Sequence, residues 1–245
     1  MPKFFADGRD IDTEGGTVTL RGADAKHIAL SLRMAVGDPL TVSDGCGTDY
    51  DCRLTRIRED ECILGIEGSH EGRGEPPAKI TLYMAYPKGD KLETVIQKAV
   101  ELGAARIVPF VSERCIKRPV KEREEKQLAR HCAIANEAAK QCGRSRLPEV
   151  TAPISFSALT EAIGVNELTL LCYEGERERT LKDALRGRKC RTLGVIVGSE
   201  GGFSPEEAEA LVAHGAVSVS LGGRILRCET APEFCLSAVS YELEM

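Results

Sequence analysis

Two loops in the carboxyl-terminal part of the chain combine glycines with charged side chains. The first is Gly198-Ser-Glu-Gly-Gly-Phe203 and the second is Leu221-Gly-Gly-Arg-Ile-Leu-Arg-Cys-Glu-Thr230. Each follows a largely apolar or alternating run, so each is expected at the carboxyl end of a strand, where open parallel sheets bind ligands. Their glycines let backbone approach a ligand closely. Neither loop fits GxGxxG or GxxxxGK(S/T), which disfavours a phosphate cradle of a known kind. Glu200, in the middle of the first loop, would repel a phosphate and attract a cation. A sulfonium carrying an ammonium group meets that demand. In the second loop Arg224 and Arg227 flank Leu226, and Glu229 and Thr230 follow. Arg227 could simply pair with Glu229 or Glu233. Two arginines beside two glycine-bearing strand ends point instead to a site.

The elements that must carry these loops are legible from periodicity. From Lys79 onward, strands alternate with helices, the texture of parallel βα units. Strands are expected at Ile80 to Tyr86, Arg106 to Val111, Leu168 to Cys172, Leu193 to Val197 and Val217 to Leu221. Pro109 suggests a strand end or edge. The helix after Asp90 should bury Leu92, Val95, Ile96, Ala99 and Val100 and stop at Gly103, with Asp90 and Glu93 forming a capping box. A long helix is expected over Lys121 to Cys142. Ser204-Pro-Glu-Glu207 opens another, and Thr230-Ala-Pro-Glu233 is expected to open the last by the same device. Residues 1–68 read differently, as short strands such as Thr17 to Leu20 and Pro39 to Ser43 around one helix over Asp24 to Val36, which suggests a small barrel. The Gly/Pro-rich polar stretch 69–78 reads as a linker, leaving 79–245 as the α/β domain.

Bulk properties narrow the partners. A net charge of −5 excludes a polycation that coats nucleic acid, so any RNA contact must come from local patches. One candidate is Arg114 to Arg130, with seven basic against three acidic residues, extended by Lys140, Arg144 and Arg146. Aromatic residues are 4% with no Trp, so a base-stacking platform is not expected. Ten cysteines without any CxxC pair argue against zinc, and no metal is expected; they read as reduced, small apolar fillers. No run is long enough to span a membrane, and the amino terminus lacks a secretory pattern, so a cytoplasmic protein is expected.

Taken together, the motifs resemble a known family. Gly198 to Ser204 followed by Leu221 to Thr230 closely resembles the paired carboxyl-terminal motifs of the 16S ribosomal RNA uridine-N3 methyltransferases, a SPOUT-superfamily group. So does Lys88-Gly-Asp-Lys-Leu-Glu93 leading into Lys98-Ala-Val-Glu-Leu-Gly103 and Pro109-Phe-Val-Ser-Glu-Arg114. His27 and Leu32-Arg-Met-Ala-Val-Gly-Asp38 resemble that family's PUA-like RNA-binding module. The resemblance implies a small PUA-like β-barrel followed by a SPOUT α/β domain with a carboxyl-terminal trefoil knot, a homodimer, S-adenosylmethionine as cofactor, and 16S ribosomal RNA, within the small ribosomal subunit, as substrate. The expected cofactor contacts are Cys172, Gly198, Glu200, Gly201, Gly202, Leu221, Gly222, Ile225, Leu226 and Thr230. The sequence departs from the family pattern at Ser199 (usually Pro), Gly223, Cys228 (usually Thr), Lys26 and the polar stretch Ala231 to Cys235.

A uridine N3 carries a proton, so its methylation needs a base or water path and positive charge near the carbonyl oxygens. Arg114 and Arg227 are the candidates for that charge, with Glu200 or Glu229 for orientation or proton removal. His27, Arg33, Lys88 and Arg114 are the candidates for RNA contacts that position without specifying sequence. Competing expectations are a methyltransferase acting on another RNA atom such as a ribose 2′-hydroxyl, and a non-catalytic RNA-binding or ribosome-assembly factor. A nucleotide-binding metabolic enzyme is disfavoured by Glu200 and the missing phosphate motifs.

Overall fold

Apolar/polar alternation in the amino-terminal part produces β1 (Lys3–Phe5), β2 (Ile11–Asp12), β3 (Thr17–Arg21), β4 (Pro39–Ser43), β5 (Thr48–Ile57) and β6 (Glu61–Glu71). They form one sheet in the order β1-β4-β5-β6-β3-β2, parallel between β1 and β4 and antiparallel elsewhere. Alternate residues such as Val18, Leu20, Leu40, Val42, Leu54 and Leu64 are buried in a single core. Register shifts between β5 and β6 at Asp51/Cys52 and Leu54/Arg56 supply the local bends that curl a sheet.

The helix α1 (Ala23–Lys26), continued by a wider turn through Ser31, covers this core with Ala25 and Ile28. It stops well short of Val36. Leu32 and Val36 are exposed, and Arg33 has the left-handed φ of 51° that ends a helix. The next turn competes for the backbone: Ala35 N–H donates to Asp38 Oδ2 (2.8 Å), and Gly37 N–H donates to the Leu54 carbonyl (2.8 Å).

The computed structural model describes residues 1–58 and 60–245, which divide into two units. The first comprises Met1–Glu75 together with Ala139–Leu147. Buried Arg144 pairs with Glu75 (2.7 Å), whose other carboxylate oxygen accepts from the backbone N–H groups of Ser145 and Arg146. Lys3 Nζ reaches Asp49 (2.8 Å), Ser145 Oγ (2.7 Å) and the Gly143 carbonyl (3.1 Å). Lys140 pairs with Asp24 at 2.8 Å. Two corrections follow. Lys140 and Arg144 are internal partners here, not an extension of a solvent-facing basic run. Residues 69–75 are also not a free linker, because β6 runs to Glu71 and Glu75 is the anchor just described.

The second unit, Pro76–Ala138 with Pro148–Met245, contains β7 (Lys79–Ala85), α2 (Lys91–Glu101), β8 (Ala104–Val111), α3 (Glu124–Cys142, which continues into the first unit), β9 (Glu149–Val150) and β10 (Ile154–Ser155). It continues with α4 (Phe156–Ala162), β11 (Leu168–Cys172), α5 (Leu181–Leu185), β12 (Thr192–Val197), α6 (Pro205–Ala213), β13 (Val217–Val219) and α7 (Thr230–Glu244). The sheet order is β10-β8-β7-β12-β11-β13, with β9 also beside β8, and every pairing is parallel. Central β11 and β12 are buried on both faces, which explains their continuous Leu/Val/Ile runs. Pro109 is not on an edge strand. It pairs with Met84 and falls between β9, which ends opposite Ile107, and β10, which begins opposite Phe110, so its missing N–H breaks no ladder.

The helix-start devices fare unequally. Ser204 and Glu207 form the full capping box with Pro205 in the first turn. The box at Asp90 does not close: Asp90, at φ −100° and ψ 12°, is not in the extended conformation of a capping residue and makes no side-chain cap, and the Glu93 carboxylate pairs with Arg130 (2.7 Å). Thr230 is the first residue of α7 and not its cap; the N–H groups of Thr230 and Ala231 both donate to the Arg227 carbonyl at 2.9 Å. None of the ten cysteines is in a disulfide; Cys52, Cys62, Cys115, Cys228 and Cys235 are buried fillers, whereas Cys46 and Cys142 are exposed and are not. No helix among the described residues is long and apolar enough to cross a membrane. Among the same residues no cluster of three or more His, Cys, Asp and Glu side chains could hold a metal ion.

Candidate active site

The carboxyl ends of three adjacent strands, β12, β11 and β13, open onto one cavity of about 800 Å³. Its walls are Cys172 to Glu174 and Arg177 after β11, Val197 to Glu200 with Gly202 and Phe203 after β12, and Ser220 to Cys228 after β13. Lys91 from the first turn of α2 and Ala231 from α7 complete it. The first glycine loop is a tight turn: Gly202 N–H donates to the Ser199 carbonyl (2.9 Å), and Gly202 takes a φ of +63°. A Cβ on Gly198 would lie 3.1 Å from both Gly202 Cα and the Phe203 ring, so only glycine fits there without displacing the turn. Ser199 keeps this turn without the ring constraint of a proline.

Charge within the cavity is organised by Lys91. Its ammonium lies 3.1 Å from Glu200 Oε1, 3.1 Å from Glu229 Oε2 and 3.7 Å from Cys228 Sγ. Hydrogen bonds donated to Glu229 and then Glu200 raise the lysine above its ordinary range. Both carboxyls are held below theirs: burial opposes the shift, but backbone N–H groups and Lys91 outweigh it. Lys88 N–H adds a further bond to Glu200 Oε1 at 3.1 Å. The Cys228 thiol, by contrast, is pushed up to about 12 by burial and by the neighbouring Glu229 and Glu200. One ammonium between two ionised carboxylates leaves negative charge at this corner, the right sign for a cationic group, while Arg177, Arg224 and Arg227 line other parts of the wall.

A second cluster lies where β8 ends. Glu207 closes the cap of α6 and also accepts from Glu113 N–H (2.7 Å), tying the loop after β8 to the start of α6. Ser112 Oγ and Cys115 Sγ, 3.2 Å apart, brace the same loop from within. Arg114 is thereby set against the first glycine loop. Its guanidinium donates to the Gly201 carbonyl (3.2 Å), and Ser199 Oγ donates to the Arg114 carbonyl (3.5 Å). A Cβ on Gly201 would sit 2.9 Å from Arg114 Cβ.

Comparison with known proteins gives this arrangement its context. An RNA methyltransferase domain family matches residues 74–240, and a PUA domain family of RNA methyltransferases matches residues 20–67. The Bacillus subtilis ribosomal RNA small subunit methyltransferase E is 34% identical over 239 residues, 95% of this chain and 93% of its own length. The Synechocystis protein of the same name is 34% identical over 93% of this chain and 74% of its own. The crystal structure of the Neisseria gonorrhoeae ribosomal RNA small subunit methyltransferase E, bound to S-adenosyl methionine, superposes with a TM-score of 0.85 at 31% identity, covering 98% of this chain and 97% of the other.

The chain belongs to the ribosomal RNA small subunit methyltransferase E family. The resemblance first drawn from the motifs is thus met along nearly the whole chain, and the curled sheet followed by a parallel α/β unit agrees with it. Among the expected cofactor contacts, Cys172, Gly198, Glu200, Gly202, Leu221, Gly222, Ile225 and Leu226 all line the cavity. Gly201 and Thr230 do not; Gly201 supports Arg114 and Thr230 starts α7.

Of the residues expected to act in chemistry, exposed Arg227 lines the cavity with no side-chain partner among the described residues, and Glu200 lines it in contact with Lys91. Glu229 sits behind the wall on Lys91, so the suspected Arg227–Glu229 pair does not form. Arg114 and Lys88 are exposed beside the first loop. His27 and Arg33 are exposed in the first unit, where the His27 ring meets Phe4 edge-on at 6.1 Å. Sequence reasoning missed Lys91 altogether, although the motif Lys88 to Glu93 contained it.

Proposed function

We propose that this chain is the methyltransferase that modifies N3 of a uridine in the 16S ribosomal RNA of the small ribosomal subunit, with S-adenosylmethionine as the donor, working in the cytoplasm as a homodimer. The observation that carries the reading is the glycine-walled, acid-bearing cavity at the strand ends, which Arg227 lines with no side-chain partner among the described residues. The residues fit the donor. Val197, Phe203, Leu221 and Leu226 offer apolar walls for an adenine, and Glu200 offers charge opposite to a sulfonium and an amino group. When bound, that cofactor supplies an electrophilic methyl group. Arg227, assisted by Arg114, stabilises the negative charge that grows on the uracil oxygens as the N3 proton passes to water. Glu200 and Glu229 are ionised and tied to Lys91, which suits orienting the cation and fixing the two loops better than accepting the proton. Cys172, Gly198, Gly202, Gly222 and Ile225 shape the donor's bed, Gly201 and Thr230 support it from outside, and His27, Arg33 and Lys88 hold RNA phosphate.

The homodimer is supported by Phe234 and Tyr241, two exposed aromatic residues spaced seven apart along one face of α7. The trefoil knot belongs to the same reading, supported by family membership and by the placement of β12 between β7 and β11. The test is a nucleoside map of small-subunit RNA from cells lacking the protein, with re-expression of wild type or Arg227→Ala. Wild type restores one 3-methyluridine and Arg227→Ala does not. An unchanged map without the protein, or loss of a ribose methylation instead, overturns the proposal.

A further inference from the structure

The loop between β8 and α3 has a composition that the cavity does not explain. From Arg114 to Lys121 it reads Arg-Cys-Ile-Lys-Arg-Pro-Val-Lys, with four cations and no acid. Two apolar side chains stand out in solvent, Ile116 at 68% and Val120 at 47% exposure. Arg118 and Lys121 are exposed, and neither side chain has a protein partner among the described residues. The base of the loop is nevertheless fixed. Glu207 holds Glu113 N–H, and Lys117 donates to the Gly89 carbonyl (3.1 Å) while lying 5.7 Å above the Tyr86 ring. A braced loop that exposes apolar tips among unneutralised cations gains nothing for folding by doing so.

We infer that Arg114 to Lys121 is the surface on which the RNA strand beside the target nucleotide lies. Arg118 and Lys121 take phosphates, and Ile116 and Val120 meet the faces of unstacked bases in place of the aromatic platform this chain lacks. The inference rests on the function proposed above and adds to it where the single-stranded substrate runs: past the Gly201 side of the first glycine loop, where Arg114 already sits. Four cations with no acid suit the continuous negative charge of an RNA strand.

The experiment compares wild type, R118A/K121A and I116S/V120S in full-length protein. The probes are a short labelled oligouridine, small ribosomal subunits from cells lacking the protein, and S-adenosylmethionine by calorimetry. Each neutralised phosphate on a single strand contributes about −0.7 to the slope of log K against log salt, so R118A/K121A is expected to flatten that slope by about 1.4. Both variants lose about tenfold or more in RNA affinity and keep S-adenosylmethionine affinity within about twofold of wild type. An unchanged slope and affinity overturn the inference. So does parallel loss of cofactor binding, or a dimer that falls apart while RNA affinity stays constant. Wild type that binds RNA through this loop but never binds S-adenosylmethionine supports the surface and defeats the proposed enzyme instead.

Discussion

Replacing Glu207 with Ala offers a quantitative check on how the site is held. Glu207 is 7% exposed; one carboxylate oxygen accepts from Glu113 N–H at 2.7 Å and the other from Ser204 N–H at 3.1 Å. A hydrogen bond to a charged group contributes about 1.5–3 kcal/mol, so losing two costs about 3 kcal/mol at the lower end of that range. For a chain of this size, each kcal/mol moves the thermal midpoint by about 2–4 °C, giving a drop of about 6–12 °C. Calorimetry reads that shift, and amide hydrogen exchange at Glu113 reads its local cause. Glu207→Gln keeps one acceptor and is expected to lose about half as much. Because Glu113 adjoins Arg114, methyl transfer at a temperature where the variant is fully folded should also fall. A midpoint within about 1 °C of wild type, with the Glu113 amide as protected as before, would refute the idea that this carboxylate ties the two loops together.

Gly201→Ala places a methyl 2.9 Å from Arg114 Cβ and 3.1 Å from the Arg114 carbonyl, both in a braced loop, so about 1–3 kcal/mol of overpacking and a marked loss of methylation are expected. A thermal melt and a nucleoside assay check it. Cys228 lines the cavity, yet with its thiol pushed up to about 12 it should resist iodoacetamide at neutral pH at least roughly tenfold better than exposed Cys46, as peptide mapping would show. Burial lowers the His131 pKa below its ordinary 6.5, so the unfolded chain takes up that proton first and stability falls as pH drops below 6.5. Glu200 and Glu229, lowered from 4.5, add stability that is present above pH 4.5 and lost as pH falls through their depressed values. Denaturant titrations across this range should show the two losses, with His131→Gln removing the first.

What was legible in the sequence depended on how far apart the interacting residues lie. The α6 cap was readable because Ser204 and Glu207 complete it within four residues. The buried stripe of α2 was readable for the same reason, since periodicity is local. The cap expected at Asp90 failed because Asp90 is not extended there and Glu93 pairs with Arg130, on another helix. The role of Lys91 was hidden because Glu200 and Glu229 reach it only after the sheet has assembled. The family motifs marked most of the cavity wall correctly, since its three loops are each continuous in sequence. They could not show that Gly201 and Thr230 are absent from its lining. The helix that ended at Ser31 rather than Val36 lost to a turn whose hydrogen bonds come from Asp38 and Leu54.

The first unit is not made of one piece of chain. Its Glu75 carboxylate is held by Arg144, Ser145 and Arg146, and Asp49 Oδ2 accepts from Ser145 Oγ, some seventy to a hundred positions downstream. During synthesis the curled sheet therefore waits, with a carboxylate lacking its arginine, until well over half of the polypeptide has emerged. Cutting after residue 78 would deliver a fragment missing its own fastener, and the module cannot be moved between proteins as a simple amino-terminal cassette. Shuffling by gene fusion would have to carry both pieces together.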